Sequence, residues 1–287
     1  MLLTATAMGA AAVYGWSRWV EPRWFQINHH QILVEKTLHK PLRILHLSDI
    51  HFAEHNPHLF RFFDRLGQEE VDLIFVTGDI IDLDEGIDRC IYNLKKLRPA
   101  QGIYAVMGNH DHYRYEVRDT IMGNFFGEPH PATTNDVKRL VRELQTMGVH
   151  VLTNESQTIE YHGTSLRIHG VDDPTTGKAD VEAVRKNLMP GKMNLLLTHS
   201  VDALAAFEEG EIDVSFSGHS HGGQIRFPWI GAIFKHTRMG RHYVDGIKKL
   251  KGTHCAISRG IHAGRSIRNR LLCPPEAILL EIRNSHH

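Results

Sequence analysis

The chain has few cysteines and no excess of charge of either sign. Its 287 residues include three cysteines, Cys90, Cys255 and Cys273, which form no CxxC pattern. An odd number without that spacing indicates reduced side chains in a reducing compartment, and it excludes a disulfide-rich secreted domain. The 33 basic and 33 acidic side chains cancel, so we do not expect a general nucleic-acid binder. No repeat, low-complexity tract or proline-rich linker divides the chain, which favours one large domain.

Charge is also missing from the first 17 residues, "MLLTATAMGAAAVYGWS". This stretch is shorter than the about 20 apolar residues that span a bilayer, and it lacks the basic start of a signal peptide. Tryptophans and arginines cluster at its end, at Trp16, Arg18, Trp19, Arg23 and Trp24. Because both residue types favour the membrane–water boundary, we expect residues 1–22 to form an apolar, membrane-associated helix before a domain at 23–284. A helix packed on the body of the protein is the alternative.

The balanced total charge conceals a strongly basic segment. Residues 224–270 contain eleven lysines and arginines against one acid, Asp245, so this segment carries a net charge of +10. Such a one-sided segment favours an anionic substrate or an anionic membrane surface as its partner. A solvated basic surface without a partner is the alternative for any single side chain.

Short apolar runs alternate with helical patterns along the chain, which predicts an α/β fold. The runs at 42–51, 72–79, 102–111, 193–200 and 212–221 each have the pattern of a buried strand that ends in polar residues. Helical patterns lie near 57–69, 85–97 and 134–147. The last has Thr134 or Asn135 as its expected N-cap and Gly148 as its stop.

The polar residues after these strands are of the types that bind divalent metals. They are Asp49, His51, Asp79, Asn109, His110, Asp111, His199, His219 and His221. His219 and His221 are two residues apart and therefore project to the same side of an extended segment. In α/β sheets, ligands lie beyond the carboxyl ends of the strands, so we expect these side chains to converge on one cleft. A set of Asp, His and Asn without cysteine suits Mn²⁺, Fe²⁺ or Zn²⁺, with Mn²⁺ favoured, and it is large enough for two ions.

The motifs "DIH", "GD", "GNHD", "TH" and "GHSH", in that order over residues 49–221, resemble the five motifs of the calcineurin-like metallophosphoesterases. The resemblance implies a four-layer α/β/β/α sandwich of two mixed sheets and a hydrolase with two metal ions. It implies that Asp49, His51, Asp79 and His221 hold one ion. It implies that Asp79, Asn109, His199 and His219 hold the other, with Asp79 shared. His110 would be the catalytic histidine beside the ions, and Asp111 would orient it.

Further segments resemble the membrane-associated YaeI/LpxG-type branch of this family. They are "EPRWF", "GVDD", "GHSHGGQIRFPWIGAI" and "SRG…PPEAILLEI", which together extend over most of the chain. This resemblance implies UDP-2,3-diacylglucosamine as the lipid-nucleotide substrate, cleaved to lipid X and UMP in lipid A biosynthesis. It places the protein at the cytoplasmic face of the inner membrane, without an obligate protein partner. Arg259, Arg265 and Arg268 are then candidates for binding phosphate. A phosphodiesterase with a different substrate and a non-catalytic scaffold are the alternatives.

Overall fold

The computed structural model describes residues 2–116, 118–119, 133–265 and 267–285. One of its two main sheets has six strands in the order β1-β14-β2-β3-β4-β5. These strands are β1 (Gln26–Val34), β2 (Leu42–Leu47), β3 (Leu73–Thr77), β4 (Ile103–Val106), β5 (Val149–Val151) and β14 (Glu276–Asn284). β14 is antiparallel to β2, and the other neighbours are parallel.

The other main sheet also has six strands, in the order β12-β13-β9-β8-β7-β6. These are β6 (Glu155–Tyr161), β7 (Thr164–Gly170), β8 (Met193–Leu197), β9 (Val214–Ser217), β12 (Gly246–Leu250) and β13 (Thr253–Ile257). The outer pairs are antiparallel and the inner pairs are parallel. A small hairpin of β10 (Arg226–Phe227) and β11 (Gly231–Ala232) lies outside both sheets.

The two sheets pack face to face, and helices cover their outer faces. Between the sheets, the rings of Phe75 and Phe216 lie 4.8 Å apart, centroid to centroid, within a continuous apolar core. Helices Pro57–Leu66, Gly86–Leu94 and Val137–Thr146 cover the first sheet. The short helix Val181–Arg185 and the 3-10 helix Val201–Ala206 cover the second. The expected four-layer α/β/β/α sandwich is therefore confirmed.

Helix ends follow local capping chemistry, and one expected cap is wrong. The helix at 137–146 begins after Asp136, whose carboxylate accepts a hydrogen bond from the Arg139 N–H at 3.0 Å. A short side-chain acceptor of this kind satisfies an N–H group that has no partner within the helix. Thr134 and Asn135 precede this position and do not cap the helix. Its end is close to the expected one, since Gly148 adopts a positive φ of 90°.

The N-terminal residues Leu2–Gly15 form an α-helix, and Trp16–Val20 and Glu21–Arg23 form short helical turns after it. Every residue from 6 to 14 is exposed, so this part of the helix does not pack on the body of the protein. Among the described residues, no helix has the length and apolar character needed to cross a bilayer. Association of residues 1–22 with a membrane stays a prediction, and Met1 lies outside the described residues.

Candidate metal centre and active site

The seven predicted metal ligands lie together at one edge of the sandwich. Three strands of the first sheet and two strands of the second end there, because the sheets pack with these strand ends on the same side. Asp49 and His51 follow β2, Asp79 follows β3, Asn109 follows β4, His199 follows β8, and His219 and His221 follow β9. Residues up to 172 positions apart in the sequence thus meet in one cleft. The expected convergence is what the structure has.

One group of donor atoms matches the first predicted ion site. Single donor atoms of Asp49, His51, Asp79 and His221 all lie within 4.8 Å of one another. His51 Nε2 is 3.7 Å from Asp79 Oδ2, and His221 Nε2 is 3.6 Å from Asp49 Oδ1. These separations leave room for a cation between the atoms, since each metal–ligand bond is about 2.0–2.2 Å long.

A second group of donor atoms adjoins the first. His199 Nε2 lies 3.1 Å from Asn109 Oδ1, 3.2 Å from His219 Nδ1 and 3.3 Å from Asp79 Oδ2. Asp79 Oδ2 therefore faces both His51 and His199. A carboxylate in this position is suited to bridge two ions.

Three of the histidines are held so that Nε2 points at this centre. The Nδ1 atom of His51 lies 2.7 Å from Asp82 Oδ1, that of His199 lies 2.8 Å from the Thr77 carbonyl, and that of His221 lies 3.1 Å from the His262 carbonyl. Each acceptor favours a proton on Nδ1, which leaves Nε2 to bind a cation. His51 Nε2 is buried and has no hydrogen-bond partner among the described residues. A buried nitrogen without a partner is unusual, and it fits a metal ligand.

The charges at the centre also fit bound cations. Burial disfavours a charge on His199, but the Asp79 carboxylate outweighs burial and raises the pKa of His199 well above its usual value. Burial likewise opposes ionisation of Asp79, but His199 and His110 hold its pKa well below its usual range. A proton on His199 thus partly compensates the carboxylates here. A metal ion compensates them more fully, and its binding releases such protons.

The backbone around the centre is strained. A positive φ between 47° and 68° occurs at five of the seven predicted ligands: Asp49, His51, Asp79, His219 and His221. This left-handed region costs residues with a Cβ of order 1–3 kcal/mol each, and such residues cluster at active sites. Two glycines allow the close approach, since a Cβ at Gly218 would overlap the Asp49 carboxylate and one at Gly108 would overlap that of Asp79. These backbone conformations therefore lower the stability of the fold, and they position the side chains of the predicted ligands.

His110 lies beside the centre, but Asp111 does not orient it. The His110 Nδ1 atom is 2.8 Å from Asp82 Oδ1, and the same oxygen contacts His51. The Asp111 carboxylate instead accepts hydrogen bonds from the N–H groups of Gly108, Ile80 and Ile81 at 2.8–3.0 Å. The prediction for Asp111 is therefore wrong, because its side chain turns back to the backbone of the preceding loop. The sequence analysis missed Asp82, which lies only three residues after Asp79 and holds His110 instead.

The surroundings of His110 favour its protonated form. Burial lowers its pKa, but the carboxylates of Asp79 and Asp82 outweigh burial and raise the pKa to about 9. The His110 ring stacks on Tyr115 with centroids 4.4 Å apart, and the His110 backbone N–H donates to Asp79 Oδ1 at 2.8 Å. Since Nδ1 is held by Asp82, Nε2 is the atom from which a proton can be transferred to a reacting group.

A cavity of about 300 Å³ adjoins the metal centre, and its lining includes His51 and Asp82. Arg265 and Arg268, both expected to bind phosphate, line it, as does His262. Arg259 does not line it, because its guanidinium pairs with Glu276 at 2.6 Å. Two arginines that the sequence analysis did not assign to the site, Arg18 and Arg23, form another part of the wall.

Comparisons with known proteins agree with this geometry. A model of the family described as calcineurin-like phosphoesterase matches residues 42–223. The chain is 27% identical over 297 residues to the uncharacterized metallophosphoesterase YkuE of Bacillus subtilis (strain 168), covering 99% of this chain and 94% of that protein. It is 26% identical over 284 residues to the phosphodiesterase YaeI of Escherichia coli (strain K12), covering 97% and 96%. It is 24% identical over 261 residues to the UDP-2,3-diacylglucosamine pyrophosphatase LpxG of Chlamydia muridarum (strain MoPn / Nigg), covering 79% and 78%. The chain therefore belongs to the calcineurin-like phosphoesterase family and is a metal-dependent hydrolase of phosphate esters.

Proposed function

We propose that this chain hydrolyses the diphosphate of a lipid-linked nucleotide, with UDP-2,3-diacylglucosamine as substrate and UMP and lipid X as products. The observation that carries the proposal is the arginine-lined cavity, whose lining also includes His51 and Asp82 of the metal centre. A diphosphate has one phosphorus that is attacked and a second phosphate that must be bound. The metal centre can take the first, and the arginines of the cavity can bind the second. The similarity to LpxG, whose name states this activity, supports the same substrate. The reaction would be a step of lipid A biosynthesis.

The residues around the centre have defined parts in this reaction. When bound, two divalent ions supply a water of lowered pKa and neutralise charge on the phosphate. Asp82 holds His51 toward the centre and holds His110 beside it. Water loses one proton to solvent and adds its oxygen to one phosphorus, the bond from that phosphorus to the bridging oxygen breaks, and the departing phosphate takes the proton from His110 Nε2. His110 is then reprotonated from solvent, to which one-fifth of its side chain is exposed.

The direct test is release of UMP from UDP-2,3-diacylglucosamine by the purified full chain with Mn²⁺. We expect turnover by the wild type and none by Asn109→Ala. Asn187→Ala, at an exposed position just after the short helix Val181–Arg185, serves as a matched control with wild-type turnover. Absence of UMP release, alongside hydrolysis of bis-p-nitrophenyl phosphate by the same preparation, would contradict the substrate and retain the hydrolase.

A second candidate is a phosphodiesterase that acts on another small diester. The similarity to YaeI favours it, because that similarity covers 97% of this chain against 79% for LpxG. The two candidates differ in how strongly turnover depends on the lipid-nucleotide. A kcat/KM for bis-p-nitrophenyl phosphate that equals or exceeds the value for UDP-2,3-diacylglucosamine supports the phosphodiesterase.

We also propose that the protein works at the cytoplasmic face of the inner membrane. Two groups of exposed apolar side chains support this: Tyr14, Trp16, Trp19 and Trp24 at the N-terminus, and Phe227, Trp229, Ile230 and Ile233 on the β10–β11 hairpin. Residues 270 and 271 connect the two groups. The Arg226 N–H donates to the Leu271 carbonyl, and the Arg270 N–H donates to the Ser17 carbonyl. Exposed aromatic side chains beside basic residues favour the membrane interface.

Flotation with vesicles of phosphatidylethanolamine and phosphatidylglycerol tests this location. We expect the wild type to float, and Trp19→Ser/Trp229→Ser to remain largely at the bottom of the gradient. Tyr92→Ser removes an aromatic side chain that is 60% exposed and lies on the helix Gly86–Leu94, so it is the matched control and should float. Equal flotation of all three proteins would contradict the proposal.

A further inference from the structure

The cavity beside the metal centre is formed in part by the N-terminal segment. Arg18 and Arg23 line it together with Arg265 and Arg268 of the basic segment, while Glu54 and Asp82 are its acidic lining residues. Glu54 lies 3.4 Å from Arg268, and the Asp82 carboxylate contacts His51 and His110. Among the described residues, Arg18, Arg23 and Arg265 have no carboxylate partner. Three guanidinium groups in one cavity thus have no negative charge to balance them.

The segment that carries Arg18 and Arg23 is firmly attached to the domain. Glu21, between them in sequence, is 2% exposed, and its carboxylate accepts hydrogen bonds from the Cys273 N–H at 2.5 Å and the Trp16 indole at 2.8 Å. The Ser17 carbonyl accepts the Arg270 N–H at 2.8 Å. Phe25 stacks on Phe62 of the domain with centroids 4.9 Å apart. These contacts fix both ends of the segment, so its arginines form a stable part of the wall.

The opposite wall is fixed by a buried guanidinium. Arg270 is fully buried and donates hydrogen bonds to the carbonyls of Arg259, Gly260, His262 and Cys273 at 2.8–3.3 Å. These bonds hold the loop that carries Arg265 and Arg268. The same loop contacts the metal centre through the His262 carbonyl, which accepts from His221 Nδ1. The cavity and the metal centre therefore both contact His262, whose carbonyl is held by Arg270.

The electrostatic environment of the cavity is positive. His58, another lining residue, has its pKa lowered by burial and by the positive charges of Arg23 and Arg61. The part of this lowering that Arg23 and Arg61 cause comes from positive charge, and positive charge in a cavity also favours a bound anion. Guanidinium groups bind phosphate oxygens with paired hydrogen bonds, so phosphate is the anion that matches these side chains.

We infer that Arg18 and Arg23 of the N-terminal segment bind the second, non-reacting phosphate of the substrate, so that this segment is part of the active site. The inference rests on the proposed diphosphate substrate and assigns a determinant of its selection. The segment that is proposed to contact the membrane thus also contacts the headgroup of the substrate. A substrate with one phosphate has no group to place between these arginines.

The test compares two inhibitors of bis-p-nitrophenyl phosphate hydrolysis by the Mn²⁺-loaded full chain. Methylenediphosphonate has two phosphonate groups and methylphosphonate has one. In Arg18→Gln/Arg23→Gln, we expect the inhibition constant of methylenediphosphonate to rise at least about tenfold, as expected for loss of charge-assisted hydrogen bonds. The inhibition constant of methylphosphonate, which has no second phosphonate group, should stay within about twofold. Arg142→Gln removes an exposed arginine far from the cavity and should match the wild type.

Two further measurements keep the outcome clear. Arg265→Gln changes the opposite wall and should weaken methylenediphosphonate in the same selective way, even if the N-terminal double variant folds poorly. The rise in melting temperature caused by methylenediphosphonate should fall in these variants, and this readout needs no turnover. An unchanged inhibition constant and an unchanged melting shift, or equal weakening of both inhibitors, would overturn the inference. Failure of UDP-2,3-diacylglucosamine as a substrate would overturn the proposed function and leave this comparison intact.

Discussion

The metal centre and the arginine-lined cavity adjoin each other but are built in opposite ways. At the metal centre, buried side chains at strand ends contact one another. The Asp79 carboxylate faces the rings of His51 and His199 and accepts the backbone N–H of His110. In the cavity, Arg18, Arg23 and Arg265 extend from loops and from the N-terminal segment without carboxylate partners among the described residues. We therefore propose that residues at the strand ends carry out the reaction, whereas the segments around the sheets select the substrate. Substitutions in the two regions should therefore have different kinds of effect.

The largest expected effect is the loss of turnover when the shared carboxylate is neutralised. Asp79→Asn should lower kcat/KM for bis-p-nitrophenyl phosphate and for UDP-2,3-diacylglucosamine by at least about 1,000-fold each, because the amide supplies no charge to bridge two cations. Steady-state assays on both substrates measure this. Asp64→Asn changes a largely exposed carboxylate on a surface helix and is the control. A variant that loses activity on one substrate alone would break the distinction between the two regions.

Asp82 and Asp111 provide a sharper comparison within the metal centre. Asp82→Asn weakens the acceptor for both His51 and His110, so kcat should fall by about 10–100-fold, with a smaller change in KM. Asp111→Asn replaces an acceptor of three backbone N–H groups, so it should lower the free energy of unfolding by about 1–3 kcal/mol. Urea unfolding and kinetics on both variants test this assignment. A larger fall in kcat for Asp111→Asn than for Asp82→Asn would contradict the observed contacts.

Glu21 tests whether the cavity depends on attachment of the N-terminal segment. Glu21→Ala removes the acceptor for the Cys273 N–H and the Trp16 indole, so Arg18 and Arg23 should be held less firmly. We expect the inhibition constant of methylenediphosphonate to rise by roughly threefold to tenfold, since less of the binding site is preorganised. The kcat for bis-p-nitrophenyl phosphate should stay close to that of the wild type. Glu21→Gln keeps one acceptor oxygen, so its inhibition constant for methylenediphosphonate should lie between those of the wild type and Glu21→Ala. A fall in kcat without a change in inhibition would reverse the expected pattern.

The smallest expected effect concerns pH and a histidine outside both regions. Burial lowers the pKa of His46 to about 3, whereas the pKa of a histidine in the unfolded chain is near 6.5. Between these values only the unfolded chain takes up the proton, so acidification favours unfolding. From pH 7.5 to 5.5 this single group should lower the free energy of unfolding by about 1.4 kcal/mol. Urea unfolding of His46→Gln at both pH values should have a correspondingly weaker pH dependence. His39→Gln, at an exposed position, should keep the wild-type dependence. Identical pH dependence in His46→Gln and the wild type would contradict this account.

The ligands could be predicted from the sequence because each one lies within four residues of the end of an apolar strand. Asp79 follows "LIFVT" and His219 follows "VSFSG", so the pattern that locates the strand also locates the ligand. Asp82 could not be predicted in the same way, because its role depends on contact with His110, which is 28 residues away. Arg18 and Arg23 line the cavity together with a loop near the other end of the chain, so their position there could not be predicted either. Contacts of this kind leave no local pattern.

The edge strand β1 and the small hairpin were also missed, for a related reason. The sequence "QINHHQILV" mixes polar and apolar residues, and the strand is defined by its parallel pairing with β14 from the far end of the chain. Burial along it is partial until Ile32 and Val34, so its alternation of apolar and polar residues is weak. Buried central strands can be recognised alone, whereas an exposed edge strand depends on its neighbour.

The central claim is that two groups of side chains share Asp79 and hold two divalent ions. Its most direct test is the metal content of the full chain, measured by elemental analysis after loading with Mn²⁺ and removal of the excess. We predict two ions per chain in the wild type and a loss of bound metal in Asp79→Asn. A content that never exceeds one ion per chain, or an unchanged content of two in Asp79→Asn, would contradict the account.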